Sequence, residues 1–200
     1  MNGTYEIVWH GRGGQGAVTA AKLLTEAAYY AGFKGVSAKP TYFSERRGAP
    51  VSVHTRVSSD PIRTYANVVS PDIAVVLDDN LLEMVNVTAN LKEGGILVVN
   101  STLSPEELGL FGPFTLSLSD AFHASEAAGL IVEGNVLIST AILGPVLAAW
   151  DAVGIEHVRA AIEHKFGGKA LERNMTALSL AFESSRVYRY AVQAASAGIR

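Results

Sequence analysis

Residues 11–16 of this 200-residue chain read Gly-Arg-Gly-Gly-Gln-Gly. The apolar run Ile7-Val8-Trp9 precedes them, and a stretch rich in Ala and Leu, Ala17 to Ala31, follows with no internal Gly or Pro before Gly32. The first run reads as a buried strand and the second as a helix stopped at Gly32. Gly11, Gly13 and Gly16 therefore fall in a G-x-G-x-x-G spacing with the strand-before, helix-after context that this motif requires. Each glycine has a reason: Gly11 permits a tight turn off the strand, Gly13 lets a phosphate approach the backbone with no Cβ in the way, and Gly16 lets the helix start lie close on the sheet. Unpaired amides and the dipole at the helix N-terminus then favour an anion. The competing reading is a tight strand-to-helix turn that holds no ligand.

The remainder alternates strands and helices. Lys34 to Lys39 reads as a second, weaker strand closed by Pro40. Val51 to Val57 alternates apolar and polar residues, the pattern of a half-exposed strand that is antiparallel or at an edge. Ile73 to Leu77 is an aliphatic strand ended by Asp78-Asp79-Asn80, which can cap a helix from Leu81. Ile96 to Val99 and Phe114 to Leu118 are further strands, with Ser119-Asp120 capping a helix from Ala121. Val136 to Val153 reads as one apolar helical segment bent at Gly144-Pro145, followed by helices over Ile155 to Phe166 and Lys169 to roughly Ala195. The expectation is an α/β fold, a Rossmann-like, mostly parallel sheet with helices on both faces. A helical C-terminal tail runs from about residue 136, and residues 1–200 form a single domain.

Composition excludes several classes. The absence of cysteine rules out disulfides, zinc-thiolate sites and cysteine-held iron–sulfur clusters in this chain. A net charge of −3 with no basic run gives no footprint for nucleic acid. The N-terminus lacks the pattern of a signal peptide, and the longest uncharged run, Gly134 to Trp150, is too short to span a membrane. A cytoplasmic protein is expected.

The sequence after the glycine loop argues against an ordinary dinucleotide as its ligand. That class needs an Asp or Glu at the end of the second strand to hold the ribose hydroxyls. Here the region reads Val36-Ser37-Ala38-Lys39-Pro40. Ala17-Val18 after the loop, in place of Lys-Ser/Thr, exclude a Walker-type ATPase. A second dense segment, Thr41 to Val51, holds Ser44-Glu45-Arg46-Arg47-Gly48-Ala49-Pro50. Paired arginines suit phosphate or carboxylate. Taken alone, the segment also reads as a solvated loop in which Glu45 pairs with an arginine.

Together, Gly-Arg-Gly-Gly-Gln-Gly-Ala-Val-Thr-Ala-Ala-Lys at 11–22 and Glu-Arg-Arg-Gly-Ala-Pro-Val at 45–51 resemble the gamma subunit of the 2-oxoacid:ferredoxin oxidoreductases. The likeness is to the pyruvate and branched-chain 2-oxoacid type, and it runs over about residues 5–185 through Pro71-Asp72, the strand ending at Asp78, and Leu91 to Gly95. The resemblance implies a subunit, inactive by itself, of a complex that oxidatively decarboxylates a 2-oxoacid to the acyl-CoA. Pyruvate is the expected substrate, with branched-chain and aryl 2-oxoacids such as phenylglyoxylate as alternatives. It implies alpha, beta and delta-type partner subunits, and ferredoxin or another electron acceptor. Thiamine diphosphate, Mg2+ and iron–sulfur clusters are expected on partner chains; this chain has no Gly-Asp-Gly followed by paired asparagines. Coenzyme A is the ligand expected here. Gly11, Gly13, Gly14 and Gly16 would form the backbone cradle, Arg12 and Gln15 would project toward the ligand, Arg46 and Arg47 would supply charge, and Ser44 or Glu45 would orient them.

No residue is a strong candidate for proton transfer, and His10 and His54 read as a strand-end residue and a polar strand face. The rival functions are a stand-alone NAD(P)-binding dehydrogenase domain and a purely structural subunit with an empty loop.

Overall fold

The computed structural model describes residues 3–42 and 48–190. The chain runs through β1 (Thr4–Arg12), α1 (Ala17–Tyr30), β2 (Gly35–Tyr42), β3 (Pro50–Ser58), β4 (Ile73–Val76), a 3-10 turn at Asp79–Glu83, and β5 (Ile96–Asn100). Then come α2 (Pro105–Leu108), β6 (Thr115–Ser119), α3 (Ala121–Ala127), the hairpin strands β7 (Ile131–Val132) and β8 (Asn135–Val136), α4 (Leu143–Ala149), α5 (Ile155–Lys165), α6 (Gly168–Glu183) and β9 (Arg186–Arg189). Seven strands form one sheet in the order β2-β3-β1-β4-β5-β6-β9. The pairs β1/β4, β4/β5 and β5/β6 are parallel, while β3 is antiparallel to both β1 and β2, and β9 to β6. Strands β2, β1, β4, β5 and β6 thus point one way, and the sheet is mostly parallel.

Each face of the sheet carries its own core, because successive strand residues alternate sides. Ile7, Trp9, Ile73, Val75 and Val98 pack beneath α1, α4, α5 and α6. Ala74, Val76, Leu97, Val99, Leu116 and Leu118 face the other way, against Leu81 of the 3-10 turn and Leu110 after α2. Both faces are covered, but unequally: long helices on one, short turns and loops on the other. Helix α1 buries Ala17, Ala20, Ala21, Leu24, Ala27 and Ala28, the i, i+3, i+4 stripe its sequence carries. Gly32 ends it at φ +96°, as its position after the last turn predicts.

Three expectations need correction. First, β3 lies inside the sheet, between β2 and β1, and is buried along nearly its whole length. Its polar residues find partners rather than solvent. Thr55 is fully buried and its hydroxyl accepts the indole N–H of Trp9 at 3.0 Å. Arg56 pairs with Glu6 at 2.8 Å and donates to the Ala66 carbonyl at 2.6 Å. Second, β2 runs past Pro40 to Tyr42, which an edge strand tolerates because an edge need not donate every N–H.

Third, the tail is less helical than expected. Val136 belongs to a hairpin whose two-residue turn, Glu133-Gly134, has φ of 49° and 76°, the positive values that tight hairpin turns use. Helix begins only at Leu143, and Gly144-Pro145 lie in its first turn, where proline's missing N–H costs nothing. The Ser117 hydroxyl donates to the Pro145 carbonyl at 2.8 Å and fixes that turn to β6. Ile138, Ala141, Ile142, Leu143 and Val146 are all in the core, so this apolar segment is buried by its own fold. Helix α6 stops at Glu183, and Arg186–Arg189 turn back as a strand on β6. The part of the expected last helix beyond 190 lies outside the described residues.

Candidate phosphate-binding site

The glycine loop stands between β1 and α1, as its motif predicts. The glycines divide the work differently from expectation. Gly11 is still in the strand; a Cβ there would stand 3.3 Å from the Ala17 Cβ and 3.5 Å from that of Leu77, so Gly11 is what lets the helix start pass close to the sheet. The turn itself is carried by Gly14 and Gly16, at φ of 98° and 99°. Gly16 packs against Ser139, whose Cβ would lie 2.7 Å from any Cβ added there.

The loop is closed by its own bonds. The Arg12 amide donates to Gln15 Oε1 at 2.7 Å, and the Gln15 amide returns to the Arg12 carbonyl at 3.1 Å. The two sequence motifs meet at Gly13. Its amide donates to the Ala49 carbonyl at 2.8 Å, and the Gly48 amide donates to the Gly13 carbonyl at 3.1 Å. The Gly13 N–H is therefore engaged by protein. The remaining donors are the Gly14 and Gly16 amides and those of the first turn of α1. Gly16 at its N-cap offers no side chain, and the first turn holds no acidic residue. The amides of Ala17, Val18 and Thr19 have no intrahelical acceptor. These residues line a cavity of about 580 Å3. Ser44, Glu45, Arg46 and Arg47 lie outside the described residues; the ends of their segment, at Tyr42 and Gly48, belong to β2 and to the contact with Gly13.

Arg12 and Gln15 both turn toward Asp78. The Arg12 Nε donates to Asp78 Oδ2 at 2.6 Å and the Gln15 Nε2 reaches the same oxygen at 3.3 Å. The other oxygen of Asp78 accepts the backbone and side-chain N–H groups of Asn80 at 3.1 and 2.8 Å. Asp78 thus caps the 3-10 turn and anchors the glycine loop at once. Burial raises its pKa, but the hydrogen bonds from Asn80 and Arg12 outweigh that effect and hold the carboxyl below the usual carboxylate range. The sequence favoured the cap for Asp78, over a ligand contact at the strand end. Nothing in a linear reading ties residue 12 to residue 78, although both stand at carboxyl ends of adjacent parallel strands.

A second cavity of about 850 Å3 opens on the other side of the loop, over the carboxyl ends of β4, β5 and β6. Asp78, Asp79 and Asp120 line it, beside Asn100, Ser101 and Thr102. Asp79 accepts the Ser101 hydroxyl at 2.6 Å and Asp120 caps α3 through the His123 amide at 2.8 Å. Among the described residues the loop therefore divides an acidic crevice from a cavity that no Asp or Glu lines.

His10 and His54 share the opposite face of the sheet. They line a third cavity, of about 440 Å3, with Ser52 and Val68. Burial, reinforced by His54, lowers the pKa of His10 to about 4. Burial also lowers that of His54, with Lys39 and Arg56 adding to it. The Nδ1 of His54 accepts the Val68 amide at 3.2 Å. His54 is on the polar face, as read from the sequence, but that face is covered.

The model of the family described as pyruvate ferredoxin/flavodoxin oxidoreductase matches residues 6–184. The chain belongs to this family. It is 47% identical over 187 residues to the pyruvate/ketoisovalerate oxidoreductases common subunit gamma of Pyrococcus abyssi, covering 92% of this chain and 98% of that one. The crystal structure of the pyruvate oxidoreductase subunit PORC of Thermotoga maritima superposes with a TM-score of 0.78 at 31% identity, over 92% and 98% of the two chains. A 2-oxoglutarate:ferredoxin oxidoreductase from Magnetococcus marinus, with 2-oxoglutarate, coenzyme A and succinyl-CoA bound, shares the fold at TM-score 0.70 and 16% identity. That match covers 90% of this chain and 31% of the other. The chain is a gamma subunit of a multi-subunit 2-oxoacid:ferredoxin oxidoreductase of the pyruvate and ketoisovalerate type. Among the described residues, no helix is long and apolar enough to cross a membrane.

Proposed function

We propose that this chain supplies the phosphate-binding wall of the coenzyme A site in a complex that oxidatively decarboxylates a 2-oxoacid, pyruvate first, to the acyl-CoA. The observation that carries this reading is the uncapped, acid-free N-terminus of α1, which opens into a cavity at the point where the two motifs meet. Donors of this kind suit a diphosphate. Strand β3 also fits a ligand other than NAD. It separates β2 from β1 by a full strand position, so the end of β2 does not stand beside the loop as it does in dinucleotide folds.

In this reading the glycine loop and α1 hold the diphosphate, and Arg46 and Arg47 add charge from the adjoining segment. Ser44 and Glu45 orient those arginines. Thiamine diphosphate with Mg2+, bound by partner chains, supplies the carbon chemistry, and iron–sulfur clusters there pass the electrons to ferredoxin. Alpha, beta and delta-type subunits complete the complex, and the chain has no activity alone.

The test is the double variant Arg46→Ala/Arg47→Ala in the assembled enzyme. Loss of charge-assisted bonds to phosphate raises the coenzyme A KM by about tenfold or more while the pyruvate KM stays put. Unchanged coenzyme A kinetics would remove the second motif from the site.

A further inference from the structure

We infer that the cavity shared by His10 and His54 is a site for a small carboxylate that enters together with a proton. His10 takes the proton, and the neutral donors around it hold the carboxylate oxygens. The site is no part of the coenzyme A reading above and stands or falls without it.

His10 of β1 stands opposite Ser52 of β3, and His54 lies two residues further along β3, opposite Val8. Residues opposite one another in an antiparallel pair share a face, so the two histidines are diagonal neighbours, about 7–8 Å apart. Thr41 of β2 stands opposite Ser52 on the same face. These side chains line the cavity of about 440 Å3 together with Asn67 and Asn90. Its volume suits a small molecule. Among the described residues, the side chains of His10, Thr41, Asn67 and Asn90 make no hydrogen bond. His54 differs. Its Nδ1 accepts the Val68 amide at 3.2 Å, so the neutral ring carries its proton on Nε2, 3.4 Å from the Ser52 Oγ. That contact leaves the Ser52 hydroxyl hydrogen free to donate elsewhere. The cavity thus presents several unused N–H and O–H donors, with Val8 and Leu81 as apolar wall.

Charge selects an anion. No Asp, Glu, Lys or Arg lines the cavity. Thr41 from β2, Ser52 and His54 from β3, Asn67 from the segment after β3, and Leu81 and Asn90 from the 3-10 turn and the loop beyond it are the groups around His10. Its partner on β4 is Val76. On β1 itself, Glu6 and Arg12 are already paired, with Arg56 and Asp78. The charged groups that act on the histidine pair are Lys39 and Arg56, which lower the pKa of His54, and Lys39 forms no ion pair among the described residues. A cation would meet this positive field, and a neutral ligand would leave it unanswered. Burial and His54 hold the pKa of His10 at about 4, so its ring is neutral at pH 7. A carboxylate against the ring favours the imidazolium and raises that pKa by about 1–3 units. The anion therefore draws one proton from solvent onto His10, and the pair enters the cavity with no net charge.

The experiment is a histidine NMR titration of the full chain from pH 7 to pH 5, with pyruvate as the probe carboxylate and sodium chloride at equal ionic strength as the control. Pyruvate raises the His10 midpoint from about 4 to about 6, while the exposed His123 and His164 stay in place. The apparent Kd for pyruvate falls about tenfold from pH 6 to pH 5, the slope for uptake of one proton. His10→Gln keeps a neutral hydrogen-bonding side chain and removes that slope. If His10→Gln does not fold, Thr41→Val on the edge strand serves instead; it weakens pyruvate about fivefold and keeps the slope. The inference is overturned if pyruvate shows no saturable binding at pH 5, if its Kd is the same at pH 6 and pH 5, or if chloride reproduces the His10 shift. A shift of His123 and His164 along with His10 overturns it as well.

Discussion

His10 sits one residue before the glycine loop with its pKa brought down to about 4 by burial and by His54. In the unfolded chain the imidazole titrates near 6.5. The unfolded state therefore binds a proton that the folded state refuses over this interval, and linkage makes stability fall as pH falls. The stabilisation is complete above about pH 6.5 and is lost progressively toward pH 4, by about 3 kcal/mol in all. His54 acts in the same direction, since protonating its Nδ1 breaks the bond from the Val68 amide. Urea titrations from pH 7 to pH 4.5 follow the loss, and His10→Asn flattens the curve; an equal slope in the variant would assign the effect elsewhere. At the same scale, Gly16 and Gly11 separate two roles that the motif alone does not. Gly16→Ala meets both a left-handed backbone and Ser139, at a cost of about 2 kcal/mol or more, whereas Gly11→Ala asks its neighbours to move a few tenths of an ångström and costs about 1 kcal/mol or less. Denaturant midpoints that rank the two variants the other way would reverse this assignment. The motif's spacing was legible in the sequence, but which glycine turns the chain and which clears the helix depends on Ser139 and Leu77, both remote in sequence.

At the scale of elements, Gly144 makes the sharpest test. In a helix, Gly→Ala ordinarily gains about 1 kcal/mol. Here a Cβ would lie 2.5 Å from the Phe182 amide nitrogen and 2.7 Å from the Ala181 carbonyl carbon, backbone atoms of α6 that cannot yield like a side-chain tip. Gly144→Ala is expected to destabilise by about 2 kcal/mol or more, read as a lower Tm; a Tm gain would mean that α4 and α6 separate without penalty. Strand and helix periodicity made α1, β4, β5, β6 and α5 legible, each within a residue or two. The misread elements share a cause. The alternation of β3 suggested a wet face, but Thr55 and Arg56 are satisfied by Trp9, Glu6 and the Ala66 carbonyl, partners that only the folded sheet supplies. The strand Arg186–Arg189 is four residues long beside alanine-rich sequence, and its pairing with β6 is set by tertiary contact, not by local pattern.

At the scale of the whole molecule, the sheet has one long-helix face, one loop-covered face, and a loop of glycines at the carboxyl end of β1, an interior strand. The membership in the family was legible because two short motifs are dense in residues with a chemical reason to be there, and the fold brings their edges into contact at Gly13. The two cavities flanking the loop were not legible, since the walls of each come from separate stretches of chain that only the fold brings together. Their opposite charge character makes the account directly testable. The decisive measurement is the structure of the assembled oxidoreductase with coenzyme A bound. The account predicts the diphosphate within hydrogen-bond distance, about 3.2 Å, of the amides of Ala17 to Thr19. Coenzyme A held by another chain away from the start of α1, or seated in the crevice of Asp78, Asp79 and Asp120, would contradict it.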